Sequence, residues 1–405
     1  MMRRSDGLCG WRSGLAISLA FCGMASAGSP FDLRTLEDGR ELAETPFVIE
    51  CNESIAPGDH LLTTPDGKPA LVGNVFRDAG RTYLGVVLEG TLPDRKLTFK
   101  VSEKTLPGKP GAGVELIPHG SRIEVRVDGR RLTEYIPDDG PKPYYFPVIG
   151  PSGAAMTRSY PMAKVPGEKI DHPHHRSLWF THGSVNKVDF WSEMPGHGTI
   201  RETSRTTAIG GAAVGRIRTT DDWVGPDGKK VCEDERIVTV YATKKARVLD
   251  FDITIKATAG PVTFGDTKEG MFGLRVATSM DVTGKKRGRI RNAEGIVDKA
   301  TWGLASPWVD YTGPVDDKLV GVAILNHPSS FRAPTTWHVR DYGLFAANPF
   351  GWHDFGRKES GEYLLPAGES MRFRYRLILH DGETESASIP AAFRSYEAPP
   401  QIEIE

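Results

Sequence analysis

Cysteine is scarce. Of four in 405 residues, Cys9 and Cys22 fall in an N-terminal leader, which leaves Cys51 and Cys232. Two thiols without a C-x-x-C spacing make no zinc framework; in an oxidising compartment they either form one bridge or stay apart. Charge of one sign is also lacking: 51 Lys and Arg against 52 Asp and Glu give a net charge of −1. No overall field draws the chain to nucleic acid or to an anionic membrane, so nucleic acid is excluded as an expected partner. Past the leader no apolar run reaches the roughly 18 residues of a membrane span. No long stretch keeps a 3.6-residue period, which argues against a helical bundle. The phosphate loop G-x-x-x-x-G-K-[ST], the nucleophile elbow G-x-S-x-G and the metal motif H-E-x-x-H are all absent.

What is present begins with Arg3, Arg4 and Arg12 ahead of an apolar run from Leu15 to Met24 that ends in Ala25-Ser26-Ala27. This is the pattern of a cleaved signal peptide over 1–27, and it predicts a periplasmic or secreted protein. The chain is rich in turn formers, with 45 Gly and 29 Pro, and strand-type alternation recurs between them. Ile123, Val125 and Val127 alternate with Glu124 and Arg126 before the hairpin signal Asp128-Gly129. Phe251, Ile253 and Ile255 alternate with polar residues, as do Met371, Phe373, Tyr375 and Leu377 with three arginines. Sheets with one wet face follow, and the fold class expected is all-β, a large antiparallel β-sandwich. The Pro- and Gly-rich stretch from Pro137 to Pro143 suggests a break between a small N-terminal β region, 28–137, and the sandwich, 138–385; the alternative is that 28–137 supplies the first strands of one continuous sandwich. The Ala-, Pro- and Glu-rich end, 386–405, reads as a loosely packed tail.

Chemistry-bearing residues gather in three segments. The densest is Asp171-His172-Pro173-His174-His175-Arg176, followed by His182, Asn186, Asp189, Trp191, Glu193 and His197. In an extended chain His172 and His174 share one face and His175 takes the other, so a pair of imidazoles converges unless Pro173 bends the chain. Such a pair suits proton transfer or metal ligation. The second segment, Gly265 to Arg275, puts Glu269 and Arg275 six residues apart, on one side of a regular strand, as a base and an oxygen clamp. The third contains Asn326, His327, Trp337, His338, Asn348, Trp352 and His353, and supplies the ring faces and fixed hydrogen-bonding groups that a sugar cleft needs.

The strings Tyr144-Tyr145-Phe146-Pro147, Asp171 to Trp179 (D-H-P-H-H-R-x-L-W), His182-Gly183, Asp189-Phe190-Trp191, Thr267 to Gly270 and Asn348 to Gly351 resemble a large bacterial family of uncharacterised exported proteins. That family carries the label "methane oxygenase PmoA". The label implies copper chemistry, but a subunit of the membrane methane oxygenase is built of membrane-spanning helices and this chain has no such run, so the name reads as a misannotation. The family also looks like the galactose-mutarotase type of β-supersandwich, in which His residues and a strand-borne Glu act on a sugar's ring oxygen and anomeric hydroxyl.

The resulting expectation is an exported carbohydrate-active enzyme, an epimerase or a lyase/hydrolase, with a small-molecule carbohydrate as partner. Its catalytic residues would be Glu269 as base and His172, His174, His175 and His182 as acids or hydroxyl ligands. Arg176, Asp189, Trp191, Arg275, Asn326, His338, Asn348 and His353 would bind substrate. The alternative is a noncatalytic glycan-binding protein. No cofactor is required, although His172 and His174 with Asp171 or Asp189 are ligand types that suit a divalent metal. A working cleft further requires His174 or His175, Glu269, Arg275 and at least one of His338 and His353 to meet on one concave surface.

Overall fold

The computed structural model describes residues 44–89, 96–283 and 287–405, so the expected leader lies outside the described residues. Two eight-stranded sheets and a six-stranded sheet make up most of it. Five strands of the six-stranded sheet come from Glu44–Val101, and the sixth, Gln401–Ile404 from the far end of the chain, forms an edge by pairing in parallel with Lys96–Val101. One eight-stranded sheet contains Val114–His119, Arg122–Val127, Arg130–Ile136, Tyr144–Tyr145, Leu178–His182, Gly270–Arg275, Leu344–Ala347 and Trp337–Val339. The other runs from Thr199–Ile209 through Val214–Val224, Lys230–Tyr241, Arg247–Lys256, Ser370–Asp381, Lys318–Asn326 and Trp308–Val315 to Arg289–Asn292.

Alternation explains the packing. In Arg122–Val127 the apolar residues are buried and the charged ones half-buried. The following Asp128 and Gly129 both have positive φ, 49° and 71°, as a two-residue hairpin turn requires. Phe251, Ile253 and Ile255 sit directly opposite Tyr375, Phe373 and Met371 on the neighbouring strand, and all six lie in the core between the two large sheets. Their neighbours on the sheet's other face, expected to be wet, are covered and pair as ions: buried Arg376 donates from Nε and Nη2 to Asp250 at 2.6 and 2.8 Å. A second apolar layer, with Val214, Tyr241, Trp308 and Ile378, joins that sheet's outer face to Phe76 of the N-terminal sheet and to Ile389 and Tyr396 of the helix Ile389–Glu397.

Two expectations change, and the open choice between a bridge and separate thiols closes. The strands from Val114 to Ile136 pair within the sandwich sheet, so the change of sheet falls between Val101 and Val114 and not at 137. The C-terminal segment is packed, because Ile389 and Tyr396 supply apolar surface to a layer the sandwich cannot cover by itself. Cys51 and Cys232 are separate thiols, one beside the N-terminal core and one buried in the sandwich core. Among the described residues no helix is long and apolar enough to cross a membrane.

The sandwich interior also holds charge. Asp221 and Asp234 face each other across two strands, both fully buried, with Arg236 as their shared cation at 3.3 Å from Asp221 and 2.8 Å from Asp234. Burial, reinforced by Asp234 beside it, raises the Asp221 carboxyl above the usual aspartate range. A raised acid binds its proton more tightly in the folded state, so its stabilisation is present below the unfolded pKa of about 4 and is lost as pH rises through the folded value. Asp221→Asn is therefore expected to flatten the decline of the unfolding midpoint above pH 4; an unchanged slope in urea titrations across pH would refute this.

Candidate functional site

Residues opposite one another in register share a face. Across the first large sheet this aligns Tyr144, Trp179, Gly273, Ala346 and His338 in one row on the side away from the core. The small residues leave room for a large ring: a Cβ on Gly273 would lie 2.7 Å from Trp179 Cε2. Gly273→Ala is expected to cost about 1–3 kcal/mol by overpacking and to perturb the intrinsic fluorescence of Trp179; unaltered urea unfolding would contradict it.

Above Trp179 the D-H-P-H-H-R segment forms a turn. His172 takes a left-handed φ of 46°, and this brings all three imidazoles together, where an extended chain joins only two. His175 stacks on Trp179 (5.3 Å between centroids), His172 on His175 (4.8 Å) and Tyr342 on His172 (5.5 Å). His174 meets His175 edge-on at 4.5 Å. The column is fixed by ion pairs. Asp171 Oδ1 accepts from Arg158 Nη1 at 2.5 Å and Arg275 Nη2 at 2.9 Å, and His172 Nδ1 lies 3.2 Å from the same oxygen. Arg275 Nη1 donates to His175 Nδ1 at 3.0 Å; a guanidinium only donates, so this nitrogen is unprotonated. On the other flank, buried Lys142 donates to Glu193 Oε1 at 2.6 Å, and Arg176 reaches both oxygens of Glu193.

Electrostatics separates the acids from the imidazoles. Burial drives His175 well below the ordinary histidine value and His174 to about 4, so both are neutral near pH 7. Burial also pushes the Asp171 carboxyl up, but Arg275 with His172 and Arg158 holds it below the usual range, and it stays a carboxylate. Glu269 is the opposite case: burial raises it, Lys268 Nζ at 3.5 Å only partly countering, and His172 is close enough to bear on its charge.

The sequence-predicted residues thus divide. His172, His174, His175, Arg275 and Glu269 share this neighbourhood, with Arg176 and Trp191 packed behind it. Arg275 is 1% exposed and already bound to Asp171 and His175, so it is a brace and not an oxygen clamp. Asp189 caps a turn, accepting from the backbone N–H groups of Trp191 and Ser192, and Trp191 is buried, with no face free for a sugar. His182 bonds the Gly265 carbonyl at 2.9 Å beneath the sheet and is held at about 4 by burial, so it lies apart as a core histidine. His338 is in the outer row but bonds the Lys268 carbonyl at 2.7 Å and is 1% exposed. Asn348 fastens the 267–270 loop and Asn326 a backbone N–H of Thr335; both are buried. His353 is exposed at the rim beside Asp266. Among the described residues no three His, Cys, Asp or Glu side chains are grouped to hold a metal ion.

Sequence reasoning missed Arg158, for which no local signal exists, and Tyr342 and Arg340, which stood inside the aromatic third segment.

The arrangement defines an all-β sandwich with a polar, aromatic cluster on one sheet's outer face. The chain belongs to DUF6807, a family of unknown function whose model matches residues 122–394. The family is thus uncharacterised, as the motif resemblance implied, but its description carries no methane-oxygenase name. No curated protein matches. Among solved structures the chain is similar to a glycoside hydrolase family 36 α-galactosidase from Geobacillus stearothermophilus, at 10% identity and TM-score 0.37, covering 68% of this chain and 42% of that one. A glycosyl hydrolase family 38 protein from Enterococcus faecalis aligns at 11% identity and TM-score 0.37, covering 89% and 45%. A galactose mutarotase related enzyme from Lactobacillus acidophilus aligns at 10% and 0.23, covering 66% and 97%. The chain spans less than half the length of the first two. Similarity at this level assigns neither substrate nor reaction.

Proposed function

We propose that this face is the active site of an exported enzyme that acts on a sugar by acid–base chemistry. The observation that carries the reading is the pairing of two unlike proton carriers at the exposed edge of a buried column: His172 on the Asp171 carboxylate, and Glu269 beside it with its carboxyl raised by burial. The Asp171 contact favours the proton on Nδ1, which leaves His172 Nε2 as the proton acceptor. Glu269, read from the sequence as a base, is better suited as the acid, because desolvation favours its protonated form. Half-buried Trp302, Tyr342 and Phe355 at the same edge offer ring faces for sugar C–H groups.

A panel of glycosides and oligosaccharides incubated with the purified chain tests this. Product formation that disappears in Asp171→Asn supports the enzyme; a sugar bound but recovered intact would make the protein a noncatalytic glycan binder. Neither binding nor turnover across the panel would overturn the site.

A further inference from the structure

The charges on this face do not balance. Arg158 and Arg275 share the one carboxylate of Asp171, and Lys268 stands between Glu269 and Asp354 at 3.5 and 3.9 Å. Arg340 has no carboxylate partner among the described residues. Its guanidinium carbon sits 5.6 Å from the Trp302 ring centre and 5.3 Å from that of Tyr342, the ring that also stacks on His172 and lies 4.9 Å from the Arg275 guanidinium. Arg158 also lies within the field of the Glu168 carboxylate, so the cation left over among the described residues is Arg340. Arg340 is half-buried in the hairpin turn between Trp337–Val339 and Leu344–Ala347. Its backbone N–H is fixed by the Leu344 carbonyl at 2.7 Å. Two ring faces hold the guanidinium in place, and ring contacts of this kind replace little of the hydration that a carboxylate partner would replace.

We infer that the sugar acted on here is acidic, a uronic acid residue whose carboxylate is taken by Arg340. This inference rests on the reading of the face as a sugar site and narrows it to a substrate class. A guanidinium stacked against rings keeps its N–H edge free, and that edge matches a carboxylate in two parallel hydrogen bonds. Neutralising the carboxylate also gives the acid–base pair a proton to move. His172 Nε2 takes the proton from the carbon bearing the carboxylate, and the electron pair left behind forms a carbon–carbon double bond to the adjacent ring carbon. The glycosidic C–O bond on that carbon breaks, and the departing oxygen takes the proton of Glu269. The step is an elimination that consumes no other reactant.

The test is calorimetry of the full chain with a matched pair, an oligogalacturonide and its carboxyl-reduced galactose counterpart, with a sulfated galactose oligomer as a third ligand. The uronate is expected to bind about tenfold or more tightly than the neutral sugar, with affinity falling as salt screens the pair. Arg340→Gln should abolish that preference, and Arg340→Lys should retain part of it. Turnover should give the ultraviolet absorbance of an unsaturated uronate. Equal binding of acidic and neutral sugars, or a preference that survives Arg340→Gln, overturns the inference while leaving Glu269-dependent turnover of a neutral sugar intact. Sulfate binding as tightly as carboxylate also overturns it. No binding of any of the three by the unmodified chain overturns both this inference and the sugar site.

Discussion

Glu269→Gln is expected to lower turnover by about 10²–10⁴-fold, the usual contribution of a positioned acid or base, with little change in sugar affinity. The substitution keeps the shape and a hydrogen-bonding end group but removes the transferable proton, so the loss belongs in kcat and not in KM. The Glu269 side chain is one-third exposed (33%), enough to reach a ligand, while its carboxyl is desolvated enough to be raised. An acid must carry its proton to act, and a raised pKa moves the alkaline fall of activity to higher pH than an ordinary glutamate would give. The unmodified chain should show that fall, and the variant's residual activity should lack it. A variant with unchanged kcat would remove Glu269 from the chemistry.

Arg236→Met is expected to cost about 3–5 kcal/mol of stability, the scale for breaking a buried ion pair on one side. Arg236 donates to both oxygens of Asp234 at 2.8 Å, and Trp223 Nε1 donates to the same carboxylate at 2.6 Å. Asp221 lies 3.3 Å away, and the guanidinium carbon is 5.5 Å from the Phe180 ring centre. Removing the cation leaves two facing carboxylates in the sandwich interior with the indole N–H and the Thr219 hydroxyl as remaining donors, and desolvation of unpaired charge is what makes such a change severe. Adding Asp234→Asn to Arg236→Met should restore part of the loss, because the second change deletes one of the stranded charges; the two effects should be far from additive. Urea unfolding measures both. A loss under about 1 kcal/mol, the scale of an exposed pair, would show that water reaches the cluster.

Alternation legible in the sequence carried the strands. Ile123 to Val127, Phe251 to Ile255 and Met371 to Leu377 each have one buried face because a strand's side chains alternate, and the Asp128-Gly129 turn was readable because few residue pairs tolerate positive φ twice. The importance of the D-H-P-H-H-R segment was visible as density of residue type. Its geometry was not: a left-handed His172 cannot be read from alternation, and it is what adds the third imidazole. Nor could spacing separate His175, braced by an arginine a hundred positions away, from His182, tied to a backbone carbonyl below the sheet.

Strand faces, turns and the chemical types available are local properties and follow from the order of the residues alone. Pairing was decided by tertiary structure, which placed Val114 to Ile136 in the sandwich, folded the last strand back onto Lys96–Val101, gave Arg275 to Asp171 and left Arg340 without a carboxylate among the described residues. The physical reason is range. Side-chain direction depends on the residue's own backbone, whereas a charge's partner, and its loss of water, depend on which distant strands come to lie beside it.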